Sequence, residues 1–384
     1  MGMTSVLLAV EQLRRPVPGG IGTYTTGLLQ GLVQLGVNGH NADNEDKGED
    51  KGAGLAVTLL ASRPGKRTGR RMEEGDPLSA LTFPLITHPL PSRLLAWLWV
   101  SGMAGVAPGF DVVHSVSLAA PPCRFAPEVI TVHDLAWKEL PTAFPWIGRR
   151  WHELALRRAL RDARAFVTPS SRTASQLMKA GAPAQRIEVI EEGCDHLPPP
   201  DLGAADRLLR EIGVGSPFIL SVSTLEPRKN LSTLIRAYAR ARERIPGIWP
   251  LIIVGPQGWK SSGIKAGRQP GVNFIGRIDA QLLSGLYHRA GMFVYIPLLE
   301  GFGLPPLEAM QAGVPVLASS IPSTGSAALE VDPTDPTAVE EGLIMMFSSE
   351  EVRNDLTARG YRRVSSLTWE RTALHHMELW KSLQ

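Results

Sequence analysis

The stretch Leu298–Ser319, LLEGFGLPPLEAMQAGVPVLAS, decides how this chain is read. Pro305 and Pro306 have a fixed φ and no amide proton, so a helix holds them only in its first turn. Gly313 supplies the stop, and the apolar run from Val316 opens a strand. Ahead of the prolines, Gly301 and Gly303 let a ligand approach the backbone closely. The amides of Gly301, Phe302, Gly303 and Leu304 are therefore expected to gather at a helix N-terminus. Orphan N–H groups and the helix dipole there favour an anion such as a diphosphate. Glu300 and Glu308 flank this turn. An ionised carboxylate only accepts hydrogen bonds, which suits Glu300 to sugar hydroxyls and Glu308 to a ribose.

Outward from this segment, short apolar runs alternate with amphipathic stretches along nearly the whole chain. Val6–Val10, Ala56–Ala61, Val112–His114, Val129–His133, Ala165–Thr168 and Ile187–Ile190 read as strands. Pro198, Pro199, Pro200 and Asp201 then form a stiff, non-helical linker. A second series follows: Phe218–Val222, Leu251–Val254, Val272–Ile275, Phe293–Ile296 and Val316–Ser319, with helices such as Leu231–Arg244 and Ala280–Arg289 between them. The pattern predicts an α/β protein of two parallel-sheet domains in tandem. The chain has 384 residues, which fits two or three domains at ~150 residues each. The expected division is 1–197 and 198–368, with a last helix over 369–384 packing back on the first domain.

Composition excludes several classes. With 43% apolar and 20% charged residues, the chain is globular rather than disordered or fibrous. A net charge of +3 is too slight to indicate a nucleic-acid partner. Cys123 and Cys194 form neither a disulfide framework nor a metal spacing, which fits a reducing cytoplasm. The longest apolar stretch, Leu94–Val106, falls short of the ~20 residues that span a bilayer. The polar loop Asn38–Gly54 reads as a solvated excursion. Arg63–Arg71 (RPGKRTGRR) reads either as a solvated loop or as a site for phosphate or an anionic membrane surface. Leu94, Leu95, Trp97, Leu98 and Trp99 suit either the core or a membrane interface.

Familiar cofactor motifs are absent. Gly19, Gly20, Gly22 and Gly27 do not give GxGxxG, and Trp259 replaces the glycine that a phosphate loop needs before its lysine, Lys260. His375 and His376 are adjacent, so on a helix they point about 100° apart and cannot share a metal.

The EGFGLPPLE passage, a Glu followed after seven residues by a second Glu, resembles the signature of retaining GT4-type glycosyltransferases of the GT-B fold. The resemblance extends to the glycines after the first strand, His133–Asp134 in VITVHDLAW, SVSTLEPRKN at Ser221–Asn230, IGRI at Ile275–Ile278 and WERTA at Trp369–Ala373. It implies two Rossmann-like domains facing across a cleft, with a nucleoside diphosphate sugar on the C-terminal domain and an acceptor on the N-terminal one. Carried over residue by residue, Arg228 and Lys229 would neutralise the donor diphosphate, with no metal required. His133 would face the donor sugar, and Gly20 and Gly22 would bring a loop close to the diphosphate. Arg277 and Ile278 would pass the base, Glu300 would orient the sugar and Glu308 the ribose.

The sequence departs from the family pattern in two places. Ser223 and Thr224 stand where the commoner form has a strand-ending glycine and its cation, so Arg228 would act from the turn. After Thr324, a few residues of the usual pattern are missing. The activity implied is transfer of a hexose, mannose from GDP-mannose as first choice, to a glycan or lipid-linked acceptor in cell-surface polysaccharide synthesis. The setting implied is cytoplasmic, with membrane contact through Arg63–Arg71. A sugar-nucleotide epimerase of the same architecture and a non-catalytic sugar-nucleotide-binding protein stay open; turnover and its acceptor dependence separate them.

Overall fold

The computed structural model describes residues 3–37, 54–64, 78, 81–258 and 269–384. The polar loop at 38–53, residues 65–71 of the basic stretch, and Trp259 to Ser262 of the rejected phosphate loop lie outside the described residues. The chain divides into two compact units. One comprises residues 1–193 together with 369–384, and the other residues 194–368.

Among the described residues, the first unit is built on a seven-stranded sheet: β1 (Thr4–Ala9), β2 (Leu55–Ser62), β3 (Leu85–His88), β4 (Val112–Ser115), β5 (Glu128–Thr131), β6 (Ala165–Thr168) and β7 (Ile187–Val189). Their order is β3-β2-β1-β4-β5-β6-β7, and every neighbouring pair is parallel. The helices are α1 (Gly19–Gln34), α2 (Ser92–Ser101), the single turn α3 (Ala136–Glu139), α4 (Trp146–Asp162) and α5 (Ser171–Lys179). All eight positions of β2 are buried, which explains why it reads as an apolar run rather than an alternation. The edge strand β3 is partly exposed and lacks that signal.

One expectation needs correction here, and one pair of alternatives divides. The glycines after β1 do not form a loop: α1 begins at Gly19, so Gly20 and Gly22 sit in its first turn. The Leu94–Trp99 segment divides between two environments, because one face of α2 packs inward. Leu95 and Trp99 are fully buried, while Leu94 and Trp97 are exposed.

The second unit carries β8 (Ile219–Val222), β9 (Leu251–Val254), β10 (Val272–Gly276), β11 (Met292–Tyr295), β12 (Val316–Ala318) and the two-residue β13 (Leu329–Glu330). Among the described residues they form one sheet in the order β10-β9-β8-β11-β12-β13, again parallel throughout. Around it run α6 (Leu202–Glu211), α7 (Leu231–Arg244), α8 (Ala280–Arg289), α9 (Leu304–Gln311), α10 (Pro336–Ser348) and α11 (Glu350–Val364). Asp201 and Asp279 cap α6 and α8 through their carboxylates. Both sheets reverse their strand order once, between β1 and β4 and between β8 and β11. Ligands of open parallel sheets bind outside the carboxyl ends of the strands at such a reversal.

The last helix, α12 (Trp369–Ser382), packs on α1 in the first unit. Gly27 and Gly31 make this possible. A side chain at Gly27 would overlap the Trp369 ring, and one at Gly31 would overlap the Trp369 carbonyl. A buried chain of hydrogen bonds also ties α12 to the sheet. An indole only donates and a carbonyl only accepts, which fixes every direction in the chain. The Trp380 indole donates to His114 Nδ1 (3.1 Å), and His114 Nε2–H to the Thr131 hydroxyl (2.8 Å). Thr131 donates to the Tyr24 oxygen (3.1 Å), Tyr24 to His376 Nε2 (2.8 Å), and His376 Nδ1–H to the Thr372 carbonyl (2.7 Å). Both imidazoles are neutral in this scheme. Burial is the main cause that holds His114 well below the usual histidine range and brings His376 down to about 4.

Candidate active site

In the second unit, the reversal between β8 and β11 collects the charged residues. The chain leaves β8, turns through a short 3-10 helix at Pro227–Lys229, and enters α7 after Asn230. Asn230 holds φ at 57°, a left-handed conformation that asparagine tolerates better than most residues. Its side-chain amide donates to the carbonyls of Pro333 (2.7 Å) and Ile296 (3.3 Å), which fixes the turn. The turn aims Arg228 and Lys229 at the segment following β11.

Glu300 sits there, and one of its oxygens carries the cluster. Oε2 accepts from Lys229 Nζ at 2.6 Å, from Arg228 at 3.1 Å and from the Tyr295 hydroxyl at 3.1 Å. Burial alone would raise the Glu300 pKa. The charges of Arg228 and Lys229, with the hydrogen bonds from Lys229 and Tyr295, overcome it and hold the carboxyl at about 2. Burial, followed by the neighbouring Arg228 charge, lowers the Lys229 ammonium. Glu226, itself buried, pairs with the other guanidinium nitrogen of Arg228 at 3.1 Å, and burial pushes its carboxyl up. Two cations and two carboxylates thus form one largely buried cluster.

Gly303 precedes α9 with φ at 104°, and a side chain there would crowd Ile321 (3.0 Å), Ser323 (3.1 Å) and Glu300 (3.4 Å). Conformation requires glycine here, and the side chains around it leave little room. Pro305 and Pro306 occupy the first turn as expected, and the Phe302 and Gly303 amides donate to no acceptor among the described residues. Glu308 is buried within α9, its oxygens taking His196 Nε2 at 2.9 Å and the Tyr287 hydroxyl at 2.7 Å.

The structure therefore brings Arg228, Lys229 and Glu300 into direct contact and places Gly301, Phe302, Gly303 and Leu304 beside them. Glu308 lies one helical turn further on, with its own partners. Arg277 and Ile278 follow β10 at the sheet edge, the former exposed and the latter half-buried.

In the first unit, His133 lies just beyond β5. Its Nε2 meets the Val116 carbonyl at 3.0 Å and its Nδ1 the Glu192 carboxylate at 3.2 Å, so both ring nitrogens face acceptors of the protein. Tyr24 packs edge-on against the ring, and Thr173 donates to the His133 carbonyl. Gly20 and Gly22 belong to this unit, at the start of α1.

Sequence reasoning missed Tyr295, Glu226, His196, Tyr287 and Glu192. Tyr295 closes an apolar strand and reads as core. His196 and Tyr287 reach Glu308 from distant positions in the chain, without any local signal.

Residues 18–196 match the family described as Glycosyltransferase Family 4, and residues 210–363 match Glycosyl transferases group 1. O-antigen chain mannosyltransferase B of Escherichia coli is 30% identical over 274 residues, covering 68% of this chain and 72% of the relative. A GDP-mannose-dependent alpha-(1-6)-phosphatidylinositol monomannoside mannosyltransferase of Mycolicibacterium smegmatis is 31% identical over 54% of this chain and 56% of its own length. Among solved structures, sucrose-phosphate synthase of Thermosynechococcus elongatus superposes with a TM-score of 0.74 at 20% identity, covering 99% of each chain. Anabaena HepE, in complex with UDP and glucose, gives 0.71 at 16% identity, covering 99% of this chain and 100% of its own. With both of its sheets, its cluster of paired charges and these relatives in agreement, the chain belongs to the GT4-type glycosyltransferases of the GT-B fold.

Proposed function

We propose that this glycosyltransferase moves mannose from GDP-mannose, with retention of configuration and without a metal, to a glycan or lipid-linked acceptor. The observation that carries this reading is the Arg228–Lys229–Glu300 cluster at the β8/β11 reversal. Departure of a nucleoside diphosphate develops negative charge, and fixed cations in a partly desolvated site stabilise it. Lys229 and Arg228 take that role, helped by the amides of Phe302 and Gly303. Glu300 Oε2 is saturated by its three donors, and Oε1 accepts from the sugar. Glu308 accepts from the ribose alongside His196 and Tyr287, and Arg277 and Ile278 follow the base.

Retention follows from front-face attack. The acceptor oxygen bonds to the anomeric carbon as the bond to the diphosphate oxygen breaks, and the acceptor proton passes to that oxygen. By the family resemblance, His133, held by Glu192 and Val116, hydrogen-bonds a hydroxyl of the donor sugar. The names of the two mannosyltransferase relatives support mannose as the sugar and a surface glycan or glycolipid as acceptor.

Membrane contact belongs to the same reading. No helix among the described residues is long and apolar enough to cross a bilayer. The first unit nevertheless exposes Leu94 and Trp97 on α2, and Trp146 and Ile147 beside Arg149 and Arg150 at the head of α4. Aromatic and basic side chains together suit the interface of an anionic bilayer. Co-sedimentation with anionic liposomes that falls steeply with salt is the expected result, and no binding at low salt removes this element.

Turnover is tested by incubating the full chain with GDP-mannose or UDP-glucose and a panel of acceptors, with NMR of the product anomer. Lys229→Ala is expected to lose about 10-fold to 100-fold in both nucleotide affinity and rate, the scale of one hydrogen bond to a charged group. Unchanged binding and rate in Lys229→Ala and Arg228→Ala exclude this cluster as the donor site.

A further inference from the structure

We propose that Tyr295 is a positioning residue of the donor site, setting the directions in which Lys229 and Glu300 present their remaining hydrogen-bonding capacity. The inference rests on the reading of the Arg228–Lys229–Glu300 cluster as that site. Tyr295 is the last residue of β11, with only 3% of its surface exposed. Its hydroxyl accepts from Lys229 Nζ at 2.7 Å and donates to Glu300 Oε2 at 3.1 Å, while Nζ and Oε2 are 2.6 Å apart. The three polar atoms close a triangle.

This arrangement fixes two things that a simple ion pair leaves loose. An ammonium has three protons; Glu300 and Tyr295 take two in set directions, so the third has one direction left. A carboxylate held by a single cation swings about its bond. Here Oε2 is locked by donors from Arg228, Lys229 and Tyr295, and Oε1 has no protein donor among the described residues. Oε1 is the oxygen offered to a sugar hydroxyl, and the last Lys229 proton is the one offered to phosphate. Tyr295 touches neither ligand group; it acts through the two residues that do. A phenol suits the task, because burial and the Glu300 charge keep its proton in place far into alkali.

Tyr295→Phe keeps the ring and its core packing and removes only the hydroxyl. With GDP-mannose as donor, kcat is expected to fall about 10-fold to 100-fold with KM within about threefold, because the lost hydrogen bond served charged groups already in place. The decisive measurement is a double-mutant cycle with Glu300→Gln, activity being normalised to the folded fraction from near-UV circular dichroism. If Tyr295 acts through Glu300, its removal costs less than about threefold in the Glu300→Gln background. An equal cost in both backgrounds, or none in the wild type, overturns the inference and leaves Tyr295 as core packing. Should Tyr295→Phe fold poorly, the same cycle is run at reduced temperature on its folded fraction, and a kcat per folded molecule equal to that of the wild type overturns the inference. If Glu300→Gln and Lys229→Ala both keep full turnover, the donor-site reading itself fails. If they lose it and Tyr295→Phe does not, only the present inference fails.

Discussion

At the scale of single residues, Glu300 and Glu308 are the same side chain in different surroundings. Glu300 faces two cations, which hold its carboxyl at about 2, whereas Glu308 is met by a histidine and a phenol. Glu300→Gln keeps the shape of the side chain; its amide oxygen stays with the three donors at the Oε2 position, so the NH2 takes the Oε1 position offered to the sugar and turns that acceptor into a donor. It is expected to lower kcat by about 10-fold or more while leaving the affinity for bare GDP within about threefold, since the amide fails at a contact to the sugar. Glu308→Ala should do the reverse, weakening nucleotide binding more than the chemical step. Isothermal titration with GDP alongside steady-state kinetics separates the two. If both variants change only their melting temperature, with activity per folded molecule intact, neither carboxylate touches the donor.

At the scale of elements, the docking of α12 on α1 sets helix propensity against packing. Replacing a glycine inside a helix by alanine ordinarily stabilises it by about 1 kcal/mol. At Gly27 the added methyl would overlap the Trp369 ring, which is fully buried. Overpacking of this kind costs about 1–3 kcal/mol, so Gly27→Ala is expected to lower the melting temperature by several degrees. A rise would show that α12 yields easily.

The buried histidines of the same interface give a pH dependence. His376 titrates near 6.5 in the unfolded chain and at about 4 when folded, so the unfolded state binds the proton first as pH falls. The stability due to the neutral ring is complete above about pH 6.5 and is lost progressively towards pH 4. By pH 5 the loss is on the order of 2 kcal/mol from His376 alone. Melting curves from pH 7.5 to 5 should show it, and His376→Gln, which keeps an acceptor for Tyr24, should flatten the slope.

At the scale of the whole molecule, two compact units mean that one unfolding free energy does not describe the chain. Nucleotide is expected to stabilise the unit that holds Lys229 and Glu300. At 100 times its dissociation constant, GDP adds about 2.7 kcal/mol to the state that binds it. Calorimetry should show the transition of residues 194–368 moving with GDP, and the shift should vanish in Lys229→Ala. An equal shift in that variant places the nucleotide elsewhere.

The parallel α/β architecture was legible in the sequence, because strands buried on both faces must be apolar runs, and β2, β9 and β11 are wholly buried. So were the extent of α7 and α8 and the start of α9, where two prolines allow no other place. Strands β3 and β13 were not, being short and partly exposed at sheet edges and lacking the apolar run. A loop was expected where α1 begins, because glycines at 19, 20 and 22 read locally as helix breakers, while packing of α1 against α12 and the Tyr24–Thr131 hydrogen bond to β5 override that preference. Partnership between distant side chains came from tertiary structure alone. Tyr295 with Lys229, Glu192 with His133, His196 with Glu308 and Trp380 with His114 are joined across 66, 59, 112 and 266 positions of sequence. Local patterns of apolar and polar residues encode which face of an element is buried. Which polar atoms then meet depends on strand order and on where each strand ends, and no local pattern carries that information.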